Sequence, residues 1–552
     1  MESNDMQYNA VQNNTMPNNP LQGNPMQYNT MRPVWTPVYE PSANPHKAEN
    51  LFKPSIADFL FALTVFVLGY IFARWILFDW QGWGVTVFTT AYLLAVSVYL
   101  QKKGVRIGSL ASWFWMIVTW ATGVSYALWG NAGFAAIRGL FLFGSAVYFV
   151  IAASGCALMG KTGNFLVVDG FRMLVLVPFR NFFNQYISFS ALRIGQKRVK
   201  LLPVFLGAIF ALILLAILIP MLVRADSGGF QVILRSVSSL FTYRAWDFAM
   251  YAVISIPISA YLYGLVSGAA HRKGTDIIKP EVAGRAVAGL RIFHPATVYI
   301  ALGAVCGLYL VFILSQAPYF FSAFTGRRPE GWLVYAEYAR QGFFELCGIG
   351  AINLVILTVC NLTCRKHRHE SRPLMIFNIA LAVITLALIA TAFSKMALYI
   401  SVYGLTMPRL LPCVFMVFMA FVFVALIVLQ KKSFSIVRFA LVTGASMLCL
   451  LCLLNPDAMV VRYNADRYMS GTLREFDTEI LYRSGSAGVL PAIEVYETTK
   501  DEELKQDIAL YLIIHAGNTS SRHLDNLELW QARTAGEGVR PELLQNRQSG
   551  GR

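Results

Sequence analysis

The sequence predicts an all-α polytopic membrane protein, with about eleven transmembrane helices and a small helical C-terminal domain. Three observations predict it. Of 552 residues, 56% are apolar and 14% charged, with a mean hydropathy of +0.53, whereas an ordinary soluble domain carries roughly 25% charged residues. The apolar residues come in runs of about 20, the length that crosses a hydrocarbon core of about 30 Å as a helix. Helices are required there, because a bilayer interior offers backbone groups no water. Lys and Arg, finally, collect in the polar stretches between the runs.

Residues 1–50 are rich in Asn, Gln, Pro and Met, and Met-Gln-Tyr-Asn occurs at both Met6–Asn9 and Met26–Asn29. Such a tract buries too little apolar surface to offset its ordering entropy, which predicts a disordered tail. It holds no short apolar h-region, so the first membrane helix is expected to act as the insertion signal. The membrane domain spans 51–454, with apolar segments at approximately 55–77, 82–100, 109–128, 140–159, 201–223, 247–269, 295–316, 343–363, 374–393, 410–429 and 434–454. Two connections are long. Residues 160–200 interleave Phe165, Phe171 and Phe179 with Arg172, Arg180 and Arg193, a pattern expected of helices in the headgroup layer. Residues 317–345 are aromatic-rich and predict a short re-entrant or interfacial element.

Charge sets the orientation. With the N-terminus inside, the cytoplasmic loops hold 21 Lys and Arg and the outward loops nine: Arg138, Arg224, Arg235, Arg244, Arg327, Arg328, Arg340, Lys395 and Arg409. That asymmetry predicts a cytoplasmic N-terminus and, by odd parity, an extracytoplasmic C-terminus. It also accounts for the net charge of +16 without nucleic acid, which is not expected as a partner.

The domain at 455–552 reverses the balance, with 11 basic and 15 acidic residues. Asn455-Pro456-Asp457 reads as a helix break and restart: Asn455 caps, Pro456 suits the first helical position, and Asp457 favours the positive end of the helix dipole. Short amphipathic patterns follow at Leu473–Tyr482, Val489–Tyr496 and Leu504–Ile514, with breaks at Ser484-Gly485-Ser486 and Gly517-Asn518.

The eight cysteines lie in or beside apolar runs, which is not a disulfide framework. Cys449-Leu-Leu-Cys452 has redox-motif spacing but sits in an apolar helix with no charge to stabilise a thiolate, so it reads as core packing. Cys360, Cys364, His367 and His369 would suit zinc by ligand type. The intervening Arg365, Lys366 and Arg368 oppose a dication, and the stretch reads as a basic topogenic loop. Gly264-x-x-x-Gly268 and Gly303-x-x-x-Gly307 predict close helix packing.

The most specific polar feature is Val334 to Leu346. As a helix it would place Glu337, Gln341 and Glu345 on one face at i, i+4 and i+8, with Arg340 beside Glu337. Charge entering a span normally faces protein or water, and Glu345 and then Asn353 continue into the eighth segment. Glu337, Arg340, Gln341, Glu345 and Asn353 are therefore the candidate functional site, against the alternative of a paired helix that only sets depth. Asp58, Arg74, Asp247 and Arg438 near span ends are weaker signals, because long arginines snorkel. No nucleotide-binding or H-E-x-x-H motif occurs, and no catalytic, cofactor or metal residue is assigned.

Tyr335 to Leu346, together with Asn455 to Tyr468, resembles a bacterial multi-pass membrane family known as domain of unknown function 4173, with a close relative numbered 4153. The likeness covers about residues 60 to 500, including Gly488-Val-Leu-Pro-Ala492. It implies fold and a bacterial plasma membrane, and supplies no activity. The leading expectation is a non-enzymatic sensor or accessory module of the envelope, embedded in the lipid bilayer beside a membrane-protein partner. The alternative is a transporter of a small or lipidic solute using the Glu337–Asn353 region, and a third expectation is a membrane enzyme acting on lipid-linked substrates.

Overall fold

A computed structural model describes residues 52–130, 132–160, 162–163, 165–189, 193–194, 197–198, 202–225, 243–275, 278, 280–315, 343–366, 370–516 and 525–537. The 1–50 tail, most of the 317–345 loop, His367 and His369 lie outside the described residues.

Each of the eleven apolar segments carries a helix: α1 (Ile56–Trp75), α2 (Trp83–Lys102), α3 (Leu110–Leu128), α4 (Ala135–Ser154), and, after the connecting pieces α5 (Leu166–Phe171), α6 (Val177–Arg180) and α7 (Asn184–Ser188), α8 (Leu202–Ala225) and α9 (Tyr243–Ala270). After α10 (Pro280–Gly289) come α11 (Pro295–Ser315), α12 (Phe343–Thr363), α13 (Arg372–Tyr403), α14 (Met407–Leu429) and α15 (Ile436–Leu453). Among the described residues, nine helices are long and apolar enough to cross a membrane; α3 is not among them. Helix α3 interrupts its apolar face with Ser112, Thr119, Thr122 and Ser125, all buried.

The edges of two segments differ from the sequence reading. The fourth helix begins at Ala135 rather than near 140, so Arg138 lies in its first turn, fully buried, and not in an outward loop. A charge count places an arginine in water by default; here backbone carbonyls and a tyrosine ring replace the water. Helix α13, on the ninth apolar segment, runs from Arg372 to Tyr403, 32 residues or about 48 Å at 1.5 Å per residue. It therefore holds Lys395, assigned from sequence to a loop.

Two larger cores organise the bundle. One joins α1, α2, α3, α4 and α9 through Phe61, Val96, Trp115, Ile151 and Val266. The other joins α11 to α14 through Leu302, Leu357, Leu388 and Phe423. The 165–189 connection packs into the first core: Gln185 Nε2 donates to the Ala62 carbonyl at 3.1 Å, and Tyr186 Oη to that of Ile256 at 3.2 Å. Gly264 and Gly268 on α9 make room for it, because a Cβ at either would collide with Pro178, or with Val177 and Asn181. The second glycine pair is ordinary: Gly303 has open room up to Phe377, and nothing lies near Gly307.

Past the membrane helices, α16 (Pro456–Met469), α17 (Glu479–Ser484), α18 (Val489–Thr498), α19 (Glu502–Ala516) and α20 (527–537) build a third core around Val461, Leu481, Val495 and Ile508. Leu405, Met407 and Leu410, at the α13–α14 corner, pack against it.

Candidate functional site

The predicted polar cluster divides. Glu337, Arg340 and Gln341 lie outside the described residues. Glu345 stands in the first turn of α12 and is exposed. Asn353, two turns deeper, is fully buried: it accepts from Tyr309 Oη at 2.8 Å and donates to Thr385 Oγ1 at 2.9 Å. Those bonds tie α11, α12 and α13 together and use both ends of the amide.

A denser set of buried charges lies elsewhere, where the C-terminal helices meet the bundle. It starts with Arg138. Its guanidinium sits 3.7 Å from the Tyr126 ring centroid and donates to the carbonyls of Trp129 at 3.0 Å and Gly130 at 2.7 Å, with a longer bond to Ser125 at 3.4 Å. These carbonyls stand at and just past the C-terminal end of α3, where the dipole is negative and helix carbonyls lack partners. Arg138 caps that end with a full positive charge.

Two carboxylates face this arginine from the C-terminal helices. Asn455 adopts a left-handed conformation, φ 51°, which Asn tolerates better than most residues. This turns the chain sharply after α15. Asn455 Oδ1 then caps α16 at the Ala458 N–H, 3.2 Å away, and Pro456 and Asp457 open the helix as their sequence order predicts. Asn455 Nδ2 donates to Glu528 Oε2 at 2.6 Å, Ser486 Oγ donates to Glu528 Oε1, and the Gly130 N–H also donates to this carboxylate. Burial pushes the Glu528 carboxyl up; these donors and the Arg138 charge pull it down.

Asp457 is less well served. It is fully buried. Its Oδ2 accepts from the Gly133 N–H at 3.0 Å, while among the described residues Oδ1 has no hydrogen-bond partner. Only glycine fits at 133, since a Cβ there would come within 2.7 Å of Oδ1. Burial pushes the Asp457 carboxyl from its usual 3.8 up to about 6; the Gly133 bond and the Arg138 charge oppose the rise and Glu528 adds to it. A cavity of about 290 Å³ opens beside Asp457, bounded by Gly133, the start of α14 and the α17 region. The arrangement can hold a proton on the Asp457 carboxyl, where α16 meets the turn that leads into α4.

Sequence reasoning did not find this site. The charge count makes Arg138 a loop residue, capping preference explains Asp457 only as a helix starter, and Glu528 lies in a stretch with no motif. The one legible signal was the restart at Asn455-Pro456-Asp457. The weaker candidates fare unequally: Asp58 becomes a fully buried hub, Arg438 donates to the Thr162 carbonyl at 3.0 and 2.8 Å, and the exposed Arg74 donates to Tyr70 Oη at 3.2 Å.

A family model described as Domain of unknown function (DUF4153) matches residues 116–495, which include Arg138 and Asp457 but not Glu528. No curated protein and no solved structure matches.

Proposed function

This chain belongs to the DUF4153 family, multi-pass bacterial membrane proteins of unknown function, and on that premise we propose that it is a non-enzymatic sensor or accessory module of the cell envelope. The observation that carries the proposal is the seam. The C-terminal helices are fastened to the bundle by buried polar bonds from several elements, as a coupled layer would be. Besides the Asp457–Gly133 bond, Asn464 grips Leu405 twice: Nδ2 donates to its carbonyl at 2.6 Å, and Oδ1 accepts from its N–H at 2.8 Å. Gly404 makes this approach possible, with φ 77° and no side chain to meet Asn464. The Trp83 N–H donates to the Asp525 carbonyl at 3.0 Å. A perturbation of the C-terminal layer would thus reach α4 and the α13–α14 corner directly.

The same proposal has all eleven helices crossing the membrane, the basic loops in the cytoplasm and the C-terminal layer outside. A reporter active only in the cytoplasm should be on when fused after Lys432 and off after Gly471; equal activity at both points contradicts the parity. The transport alternative loses Asn353 as a path residue, since its amide is engaged between three helices, and would rest on Glu345 and on Glu337, Arg340 and Gln341.

The deciding experiment is affinity purification from native membranes in mild detergent with mass spectrometry. The proposal expects a membrane-protein partner in stoichiometric amount, diminished by Asn464→Leu, which frees the Leu405 corner. Absence of any partner, combined with solute uptake by the purified protein in vesicles, contradicts it.

A further inference from the structure

The cavity beside Asp457 has a defined chemical character. The fully buried Asp457 borders it, with Oδ1 unpartnered among the described residues. Its mouth carries the exposed Asp477. Glu479 and Arg483 also border it, but they neutralise each other across 2.7 Å. The lining charge is therefore negative. Its walls combine Met407, Pro408, Val460 and Ile480 with the hydroxyl residues Thr406 and Ser484, and no aromatic ring among the described residues lines it.

Each feature narrows the ligand. A vacant carboxylate oxygen in a low-dielectric site calls for a charged hydrogen-bond donor, the strong class of hydrogen bond. A quaternary ammonium has no N–H to give Oδ1, and the aromatic cage that binds such groups is absent from this lining. A tightly held metal needs several ligating side chains, and no group of three acidic, His or Cys residues comes together among the described residues. At about 290 Å³ the space stands at the lower edge of small-molecule sites.

We propose that this cavity binds a primary ammonium group, with Asp457 as its counter-ion, Asp477 as the charge that attracts it to the mouth, and the aliphatic wall taking its short carbon stem. The ammonium belongs either to a free amine or to the ethanolamine headgroup of a membrane lipid. This deepens the sensor reading and rests on it for its consequence, because the bound cation sits on the seam between α4 and α16. Charged groups facing Asp457 are Arg138 from α4, Glu528 from α20, Glu479 and Arg483 from α17, and Asp477 before it. With the Asp457 carboxyl titrating near 6, the cation binds the ionised form, so affinity rises with pH through 6 and levels off above it.

The test uses the purified full chain in detergent, with n-butylammonium chloride as probe and n-butanol, tetramethylammonium chloride and matched sodium chloride as controls. Ligand-induced thermal stabilisation is read against each protein's own unliganded Tm. The expected result is stabilisation by butylammonium alone, with a Kd on the order of 1 mM at pH 8, within reach of a five-atom ligand. The Kd should weaken about tenfold at pH 5, where roughly a tenth of the carboxyl is ionised. Asp457→Asn should weaken binding about tenfold or more and remove its pH dependence. Asp477→Asn, an exposed change, should fold normally and weaken binding about two- to fivefold, mostly at low salt. Equal stabilisation by butanol, undiminished binding in Asp457→Asn, or no stabilisation by butylammonium would overturn the proposal.

Two lipid arms separate the sources. In nanodiscs of ethanolamine phospholipid the butylammonium effect should shrink relative to choline phospholipid if the headgroup is the natural occupant, and match it if a soluble amine is. Binding is read without any partner protein, so its failure would leave the accessory role standing, and failed partner capture would leave the site standing.

Discussion

Asp58 and Asp457 are both fully buried, both stand in the first turn of a helix, and lie at opposite ends of the bundle. Asp58 is saturated. Its Oδ1 accepts from Tyr99 Oη at 2.6 Å and meets His271 Nε2 at 3.1 Å; its Oδ2 accepts from Lys103 Nζ at 2.6 Å, Ser55 Oγ at 2.7 Å and the Ser55 N–H at 2.8 Å. Asp457 has one backbone donor and a vacant oxygen. Burial alone therefore does not mark a functional acid. Asp58 ties α1 to α2 and α9 as a structural lock, whereas Asp457 keeps one oxygen unpartnered among the described residues. A buried ionisable group with an unused hydrogen-bond acceptor and a shifted pKa beside a cavity is the arrangement associated with functional sites.

Substitutions can break this comparison. Asp58→Ala should have the largest effect, about 3–5 kcal/mol in detergent melting, because it leaves a partly buried Lys103 without its counter-ion. Adding Lys103→Ala should cost less than the two single changes together; strict additivity would mean that Asp58 is no lock. Arg138→Met should cost about 3 kcal/mol through the uncapped end of α3, and an unchanged Tm would remove Arg138 from the account. Asn353→Ala should cost about 1–2 kcal/mol, in keeping with hydrogen bonds between membrane helices. Glu345→Gln should change Tm by less than about 0.5 kcal/mol, as expected at an exposed position; a loss as large as that of Asn353→Ala would restore Glu345 to a paired site.

Periodicity and run length revealed the helices, because a span must satisfy its backbone within itself and its sequence is locally apolar throughout. The restart at Asn455-Pro456-Asp457 was legible for the same reason: capping and dipole preferences act within one turn. The burial of Asp457 was not, because its partner Gly133 stands 324 residues earlier and glycine spacing carries no trace of a carboxylate fitting against it. Arg138 misled a charge count that assumes solvated loops. The sequence places Asn353 as a polar residue deep in an apolar segment but cannot show that Tyr309 and Thr385 use up its amide. Gly264 and Gly268 were recognised as a packing pair, yet their partner is the short 165–189 connection.

The central claim, that Asp457 is a carboxylate held open at the seam, is tested most directly by the difference in Tm between Asp457→Asn and the unaltered chain from pH 4 to 8. An acid raised from 3.8 to about 6 binds its proton more tightly when folded, so it contributes most stability below pH 4. That contribution falls as pH rises to 6 and is fully lost above it. The loss is on the order of 3 kcal/mol at neutral pH, and Asn can still accept from Gly133. Asp457→Asn should gain on the unaltered chain between pH 4 and 6 and keep a constant advantage up to pH 8. A variant less stable than the unaltered chain at every pH, with a difference that does not change with pH, would contradict it.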